Sequence, residues 1–336
     1  MSSRKYVKYA TAERLERVNK KNIKLYDRYL KARISRNQDT KNSTYKQYQS
    51  SIKIFFSFLL EEYDNAYILD EDLIEEFPDV MDDYVYFLQN TLMNNKKRIN
   101  FHLSAISSLF IFCIERRMLQ YNPMQNVQRM KNAGEEKLLQ EHFLTKEESD
   151  KITSELAKTL DEDYDGAYDI IDLMIWTISY DSACRIGGLL GCTVDNLTLG
   201  EDGGYFDSVR EKGGKVVPIP FTKQTGEYIE KYLEWRDSKG VDTDYIIASF
   251  NQMDREWQVM SRTAVGNRVR KIGEILGLEG FRNHSIRKTR LNQLAEHDIL
   301  LAQAMGNHED VSTTQKSYTK KKDANDVMKK IKELGL

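Results

Sequence analysis

From residue 45 the apolar positions recur at three- and four-residue intervals: Tyr45, Tyr48, Ile52, Phe55 and Leu59. That spacing lays them along one helical face and predicts a helix over "STYKQYQSSIKIFFSFLLEE", with another before it in "NIKLYDRYLKARI". An acidic helical region is expected around 71–92. The pattern returns in "NKKRINFHLSAISSLFIFCIERRML", where Ile99, Leu103, Ile106, Phe110 and Cys113 share a stripe and Lys96, Lys97 and Arg98 form the polar start. At Asn122-Pro123-Met124 the helix must stop, because proline disfavours the helical conformation in the residue before it. Residues 1–130 are therefore expected to be a small all-α domain, with the aromatic stripes as its core.

A polar, charged stretch, "QRMKNAGEEKLLQE", reads as a linker, taken as 131–141. Beyond it the pattern changes, and 142–336 is expected to be a second domain. Thr145 ahead of Glu147 and Glu148 marks a helix start, and "AYDIIDLMIWTIS" reads as a buried helix. Two short β-like runs follow, Tyr205–Arg210 and Val216–Ile219, joined through Gly213-Gly214 as a hairpin. Helices are expected again over 222–238, 261–276, 284–297 and 324–334. The fold class is mostly α with a small β-hairpin or sheet: an all-α domain followed by an α+β domain.

Charge sharpens the division. The 336 residues carry a net charge of only −2, which hides an asymmetry. Residues 1–50 hold fourteen Lys/Arg against four Asp/Glu, whereas 61–90 hold eleven Asp/Glu and no Lys or Arg. A basic segment beside an acidic one suggests one face turned to a polyanion and another turned away; the competing reading is plain solvated surface. Lys41, Lys46, Lys96, Lys97 and Arg98 are the candidate contacts on the basic side. No apolar run reaches membrane-spanning length. The start "MSSRKYVKYA" lacks the apolar core of a secretory signal. Three cysteines without C-x-x-C spacing argue against disulfides and zinc, so a reducing cytoplasm is expected.

The candidate chemistry starts from "HSIRKTR", which sets His284 and Arg287 three apart at the start of a helix. They share a face there, in the first turn, where the helix dipole favours an anion. Asn283 is placed to cap that helix. Upstream, "DSACRIGGLLG" supplies Arg185 after a buried helix, and "REKGGKVVPIP" supplies Lys212 at the hairpin turn, with Lys215 as a rival. Downstream, "MGNHEDVSTTQKSYTK" supplies His308 and Tyr318. Two arginines offer paired N–H donors to the non-bridging oxygens of a phosphodiester. Taken singly, each of these residues is as readily a salt-bridged, solvated or packing side chain. In the order arginine, lysine, histidine, arginine, histidine, tyrosine, the set resembles the tyrosine recombinase (phage integrase) family over nearly the whole chain.

That resemblance implies a helical core-binding domain and a catalytic domain clamping double-stranded DNA. It implies Tyr318 as nucleophile, Arg185 and Arg287 on the scissile phosphate, and His284 with them to activate the phenol. His308 would donate to a phosphate oxygen and Lys212 would protonate the departing 5′ oxygen. The product would be a 3′-phosphotyrosyl link, and the enzyme a site-specific recombinase of a phage or mobile element acting as a dimer to tetramer on DNA. Its tail around Val327, Met328, Ile331 and Leu334 would dock on a neighbouring protomer. No glycine-rich nucleotide loop or acidic metal cluster is visible in the sequence, so neither cofactor nor metal is expected. His102, His142 and His297 take no role.

Two departures from the family pattern stand out. Gly188 occupies the place, three after the first arginine, where members usually carry an acid, so Arg185 would be oriented differently or by another carboxylate. "MGNH" has one asparagine more than the usual Gly-His pair. A non-catalytic DNA-binding regulator on the same fold is the alternative, which Gly188 and the low overall basicity keep open. A type IB topoisomerase fits the helical first half less well.

Overall fold

The computed structural model describes residues 9–36, 43–131, 143–211, 215–307, 310 and 315, without side-chain surroundings for 35, 36, 43, 44 and 46. The chain divides into two compact units, 1–137 and 138–336. The expected tail helix, most of the expected linker, and Lys41, Lys212, His308 and Tyr318 lie outside the described residues.

In the first unit every described element is helical. The helices are α1 (Ala12–Arg17), α2 (Lys20–Arg36), α3 (Ser43–Glu62), α4 (Glu71–Glu75), α5 (Phe77–Asn90) and α6 (Lys96–Glu115). The apolar stripes face inward. Ile52, Phe55 and Leu59 of α3 are buried together with Ile99, Leu103, Ile106, Phe110 and Cys113 of α6, while Tyr45 and Tyr48 pack at the margin. Edge-on aromatic contacts join the layers, with Phe55–Tyr84 and Phe77–Phe110 ring centres each 4.9 Å apart. The acidic region forms two helices because the chain breaks at Glu76 and restarts with Pro78 in the first turn of α5, where its missing N–H costs nothing. All eleven acids of 61–90 are exposed, as are Lys20, Lys21, Lys24, Arg28 and Lys31 of α2. After α6, the Asn122 side chain accepts from the Met124 N–H at 3.0 Å and starts a single 3-10 turn, Pro123–Asn126.

His102 of α6 is 1% exposed, and its Nδ1 lies 3.3 Å from the Tyr84 hydroxyl. Burial first, and the Arg98 charge second, lower its pKa from 6.5 to about 4. The folded unit therefore keeps a neutral ring that the unfolded chain protonates. Stability is lost as pH falls from about 6.5 to about 4, by about 3 kcal/mol in all, and this group changes nothing further below that. Urea unfolding at pH 7 and pH 4.5 should show this loss in the wild type, and His102→Gln should lack it. Equal pH sensitivity of the two would exclude His102 as the cause.

The second unit is built round α8 (Ile170–Ser182), almost all of whose residues are buried. It follows α7 (Lys146–Ala157), which opens with the predicted cap: the Glu148 N–H donates to Thr145 Oγ1 and the Thr145 N–H to Glu148 Oε2. Another capping box, Asp169 with Asp172, starts α8, and Arg268 bridges both carboxylates. After the short α9 (Ile186–Leu189) come β1 (Leu197–Gly200), β2 (Gly203–Arg210) and β3 (Val216–Thr222), forming an antiparallel sheet in that order. In β3, Val217, Ile219 and Phe221 point inward while Pro218 and Pro220 are exposed, as suits an edge strand. Then follow α10 (Lys223–Lys239), the hairpin β4 (Ala248–Asn251) and β5 (Glu256–Val259), α11 (Arg262–Gly273), α12 (Asn283–His297) and α13 (Ile299–Gly306). Helix α12 packs on α8, where the Tyr180 hydroxyl donates to Gln293 Oε1 at 2.7 Å and the Arg290 guanidinium lies over the Tyr180 ring.

The periodicity did not announce α1, α13, β1, β4 or β5. The strands among them are only four residues long, and none alternates buried with exposed positions, so no apolar alternation marks them. One cap differs from expectation. Arg282, not Asn283, is the N-cap of α12 and makes no side-chain cap bond; Asn283 is the first helical residue.

Candidate active site

Where α8 ends, Ala183 takes the left-handed conformation (φ 51°, ψ 25°). This costs an L-residue about 1 kcal/mol and turns the chain sharply toward Arg185. Arg185 then sits in extended conformation at the start of α9. Its backbone N–H donates to Glu211 Oε1 at 3.0 Å and its Nη1 to Glu211 Oε2 at 2.5 Å. The arginine side chain is 31% exposed, whereas that of Glu211 is 3% exposed. One buried carboxylate thus holds both ends of a residue whose side chain is partly open to solvent. Glu211 directly follows β2, and its N–H donates to the Lys215 carbonyl at 2.7 Å across the hairpin. The next residue in sequence is Lys212, outside the described residues.

Arg287 lies in the second turn of α12 and is 2% exposed. Its Nη1 donates to the Ala183 carbonyl, two residues before Arg185, and its Nη2 to the Gly306 carbonyl at 2.6 Å, two residues before His308. A single buried guanidinium therefore ties together three chain segments that each carry a candidate residue. One turn earlier, His284 is exposed. Of the six candidates, Arg185, His284 and Arg287 are described; hydrogen bonds from these residues also reach the segments leading to Lys212 and His308. The additional asparagine of "MGNH" has a local reason. Asn307 caps α13 in left-handed conformation (φ 49°), a position that asparagine tolerates better than most residues.

Cys184, next to Arg185, is no rival nucleophile, because burial pushes its thiol up to about 11. The residue that sequence reasoning missed is Glu211. Its signal lay in "REKGGK", read for its lysines, and in the absence of an acid at Gly188.

In the first unit, Asn95 caps α6 by accepting from the Arg98 N–H at 2.9 Å. Lys96 and Lys97 are exposed and Arg98 lies over the Phe101 ring at 5.1 Å. Lys46 lies on α3, and its side chain is not described.

The profile of the phage integrase family matches residues 142–325, more than half of the chain. The chain belongs to the phage integrase family. Among curated relatives, this family member is 21% identical over 293 residues to the SPbeta prophage-derived probable integrase/recombinase YopP of Bacillus subtilis, covering 83% of this chain and 74% of that one. It is 24% identical over 219 residues to tyrosine recombinase XerC of Escherichia coli O157:H7, covering 63% of this chain and 66% of that one. Its fold resembles that of XerH site-specific recombinase bound to palindromic difH substrate, with TM-score 0.64, 15% identity, and coverage of 88% and 80%. It also resembles the Tn1549 transposon integrase in complex with transposon right end DNA, with TM-score 0.62, 15% identity, and coverage of 94% and 99%.

Proposed function

We propose that this integrase-family chain is a site-specific recombinase that cuts and rejoins duplex DNA through a 3′-phosphotyrosyl intermediate. The observation that carries the reading is Arg287: a buried cation whose two hydrogen bonds gather the Arg185 loop and the end of α13, one helical turn from an exposed His284. In this reading Arg185 and Arg287 neutralise the non-bridging oxygens of the scissile phosphate, whose negative charge grows as the nucleophile arrives. The Tyr318 hydroxyl attacks phosphorus, and its proton passes to a base in the cluster, for which His284 is placed. The bond from phosphorus to the 5′ oxygen breaks, and Lys212 gives that oxygen its proton. His308 donates to a phosphate oxygen. Phosphoester bonds are exchanged one for one, so rejoining requires no nucleotide cofactor.

Residues up to about 130 form the helical domain in this proposal, with Lys41, Lys46, Lys96, Lys97 and Arg98 on phosphates, positioning rather than specifying. Residues 131–141 link it to the catalytic domain, 142–336. The relatives from a prophage and a transposon support a role in a mobile element, and the DNA-bound neighbours support duplex DNA as partner. A dimer bound to a core site among the structural neighbours supports assembly of copies on DNA. Among the described residues no helix is long and apolar enough to cross a membrane, and we place the protein in the cytoplasm, where its buried thiols stay reduced.

The test uses nicked duplex fragments tiled across the gene's own flanks, so that a cleaved strand cannot religate. A covalent protein–DNA adduct should survive denaturation, and peptide mapping should place the nucleotide on Tyr318. Tight, specific binding with no adduct would instead identify a regulator on the recombinase fold.

A further inference from the structure

We infer that Glu211 is the positioning residue of Arg185, its carboxylate crossing from the β2–β3 hairpin into the space that Gly188 leaves empty. The inference rests on the reading of Arg185 as a phosphate-binding group. Three features carry it. The Glu211 carboxylate is almost fully buried yet charge-matched, with one oxygen on the Arg185 N–H and the other on its Nη1. A buried carboxylate is tolerated where it is hydrogen-bonded and paired, and here both partners belong to one residue. A Cβ at Gly188 would lie 3.1 Å from Glu211 Oε1, 3.1 Å from Ile219 Cδ1 and 3.4 Å from Glu211 Cγ. Glycine at 188 and glutamate at 211 are thus two halves of one arrangement, since a larger residue at 188 would press on the carboxylate.

The arrangement has a mechanical consequence. Glu211 is fixed to the hairpin by its N–H bond to the Lys215 carbonyl and is covalently joined to Lys212. The guanidinium that holds the phosphate and the segment that supplies the proposed general acid are therefore set by the same residue. Arg185 is held by a strand end instead of by its own short helix, α9.

The test compares Glu211→Ala, Glu211→Gln, Gly188→Glu, the double variant Gly188→Glu/Glu211→Ala, and Arg185→Ala. Single-turnover adduct formation is measured on a nicked duplex that the wild type cleaves, alongside affinity for that duplex and thermal melting. Glu211→Ala and Glu211→Gln should bind DNA as the wild type does and form adduct roughly tenfold or more slowly. Gly188→Glu should be slow as well, because two carboxylates then compete for one site. The double variant should recover most of the rate, the acid now coming from position 188. On a duplex whose scissile phosphate is a neutral methylphosphonate, the Glu211→Ala defect should shrink, since the charge that Arg185 meets is gone; a merely structural loss would be the same on both substrates. Wild-type rates in both Glu211 variants, with Arg185→Ala inactive, would overturn the inference while leaving the role of Arg185 intact. Wild-type cleavage by Arg185→Ala would overturn that role itself. Should Glu211→Ala not fold, Glu211→Gln and the double variant decide. A folded, DNA-binding double variant as slow as Gly188→Glu alone would count against the exchange.

Discussion

Arg287→Ala is expected to lose both catalysis and stability. Arg287 is buried and donates to the carbonyls of Ala183 and Gly306. Its removal strands both acceptors out of water, at about 1–3 kcal/mol each. Arg185→Ala strands a charge instead, because Arg185 Nη1 is the side-chain partner of the nearly buried Glu211 carboxylate, so that variant should be destabilised as well. For the reaction, removing one donor to a developing oxyanion costs about 10²–10³ in rate. A guanidinium carries five N–H donors, so holding two carbonyls does not exhaust it. Arg287→Lys keeps the charge but presents a compact ammonium that cannot span two carbonyls and a phosphate, and should remain well below wild type. The measurement is single-turnover adduct formation at a temperature where circular dichroism shows each variant folded, with urea unfolding in parallel. An Arg287→Ala protein that unfolds like the wild type would refute the bridging role. A destabilised variant with undiminished adduct formation would refute the catalytic one.

Long-range packing explains why Arg287 was legible as a candidate but not as a hub. Its partners are 104 and 19 residues away, and neither carbonyl advertises itself in sequence. What the sequence did reveal was periodic. Ile99, Leu103, Ile106, Phe110 and Cys113 are buried because spacing alone selects a face, and Thr145 with Glu148 forms its box because both partners lie within four residues. Glu211 lay outside that horizon: an acid in a hairpin is ordinarily solvated, and only the fold brings it to Arg185. Asn283 fails as a cap because the chain enters the helix one residue earlier, through Arg282.

The same contrast applies to the two departures from the family pattern. Each looked like a defect when the neighbouring residues alone were considered. At Gly188 the missing acid is answered by a carboxylate from another element, and at Asn307 the additional residue is the helix's own C-cap. Neither therefore argues for lost activity, and the regulator alternative loses its main structural motive.

Replacing Lys96, Lys97 and Arg98 together by glutamine should move affinity and stability in opposite directions. All three lie in the first turn of α6, a helix of 20 residues with no acid in that turn. Cations there oppose the positive end of the helix dipole, each by about 0.3–1 kcal/mol at low salt. A protein serving stability alone would place acids at this end, so the arrangement is costly unless an anion completes it. If three phosphates do so, neutralisation should reduce the slope of log affinity against log salt by about 2.7, at roughly 0.9 per contact. The corresponding loss of affinity near 0.1 M salt is on the order of 10²–10³-fold. The helical unit should meanwhile melt no lower than wild type, apart from the small contribution of the Arg98 contact with Phe101. Binding titrations from 50 to roughly 200 mM salt on the cleaved duplex, with melting curves beside them, check both signs. An unchanged salt slope would mean that this end of α6 does not meet DNA, and the basic first turn would then need another anion to explain it.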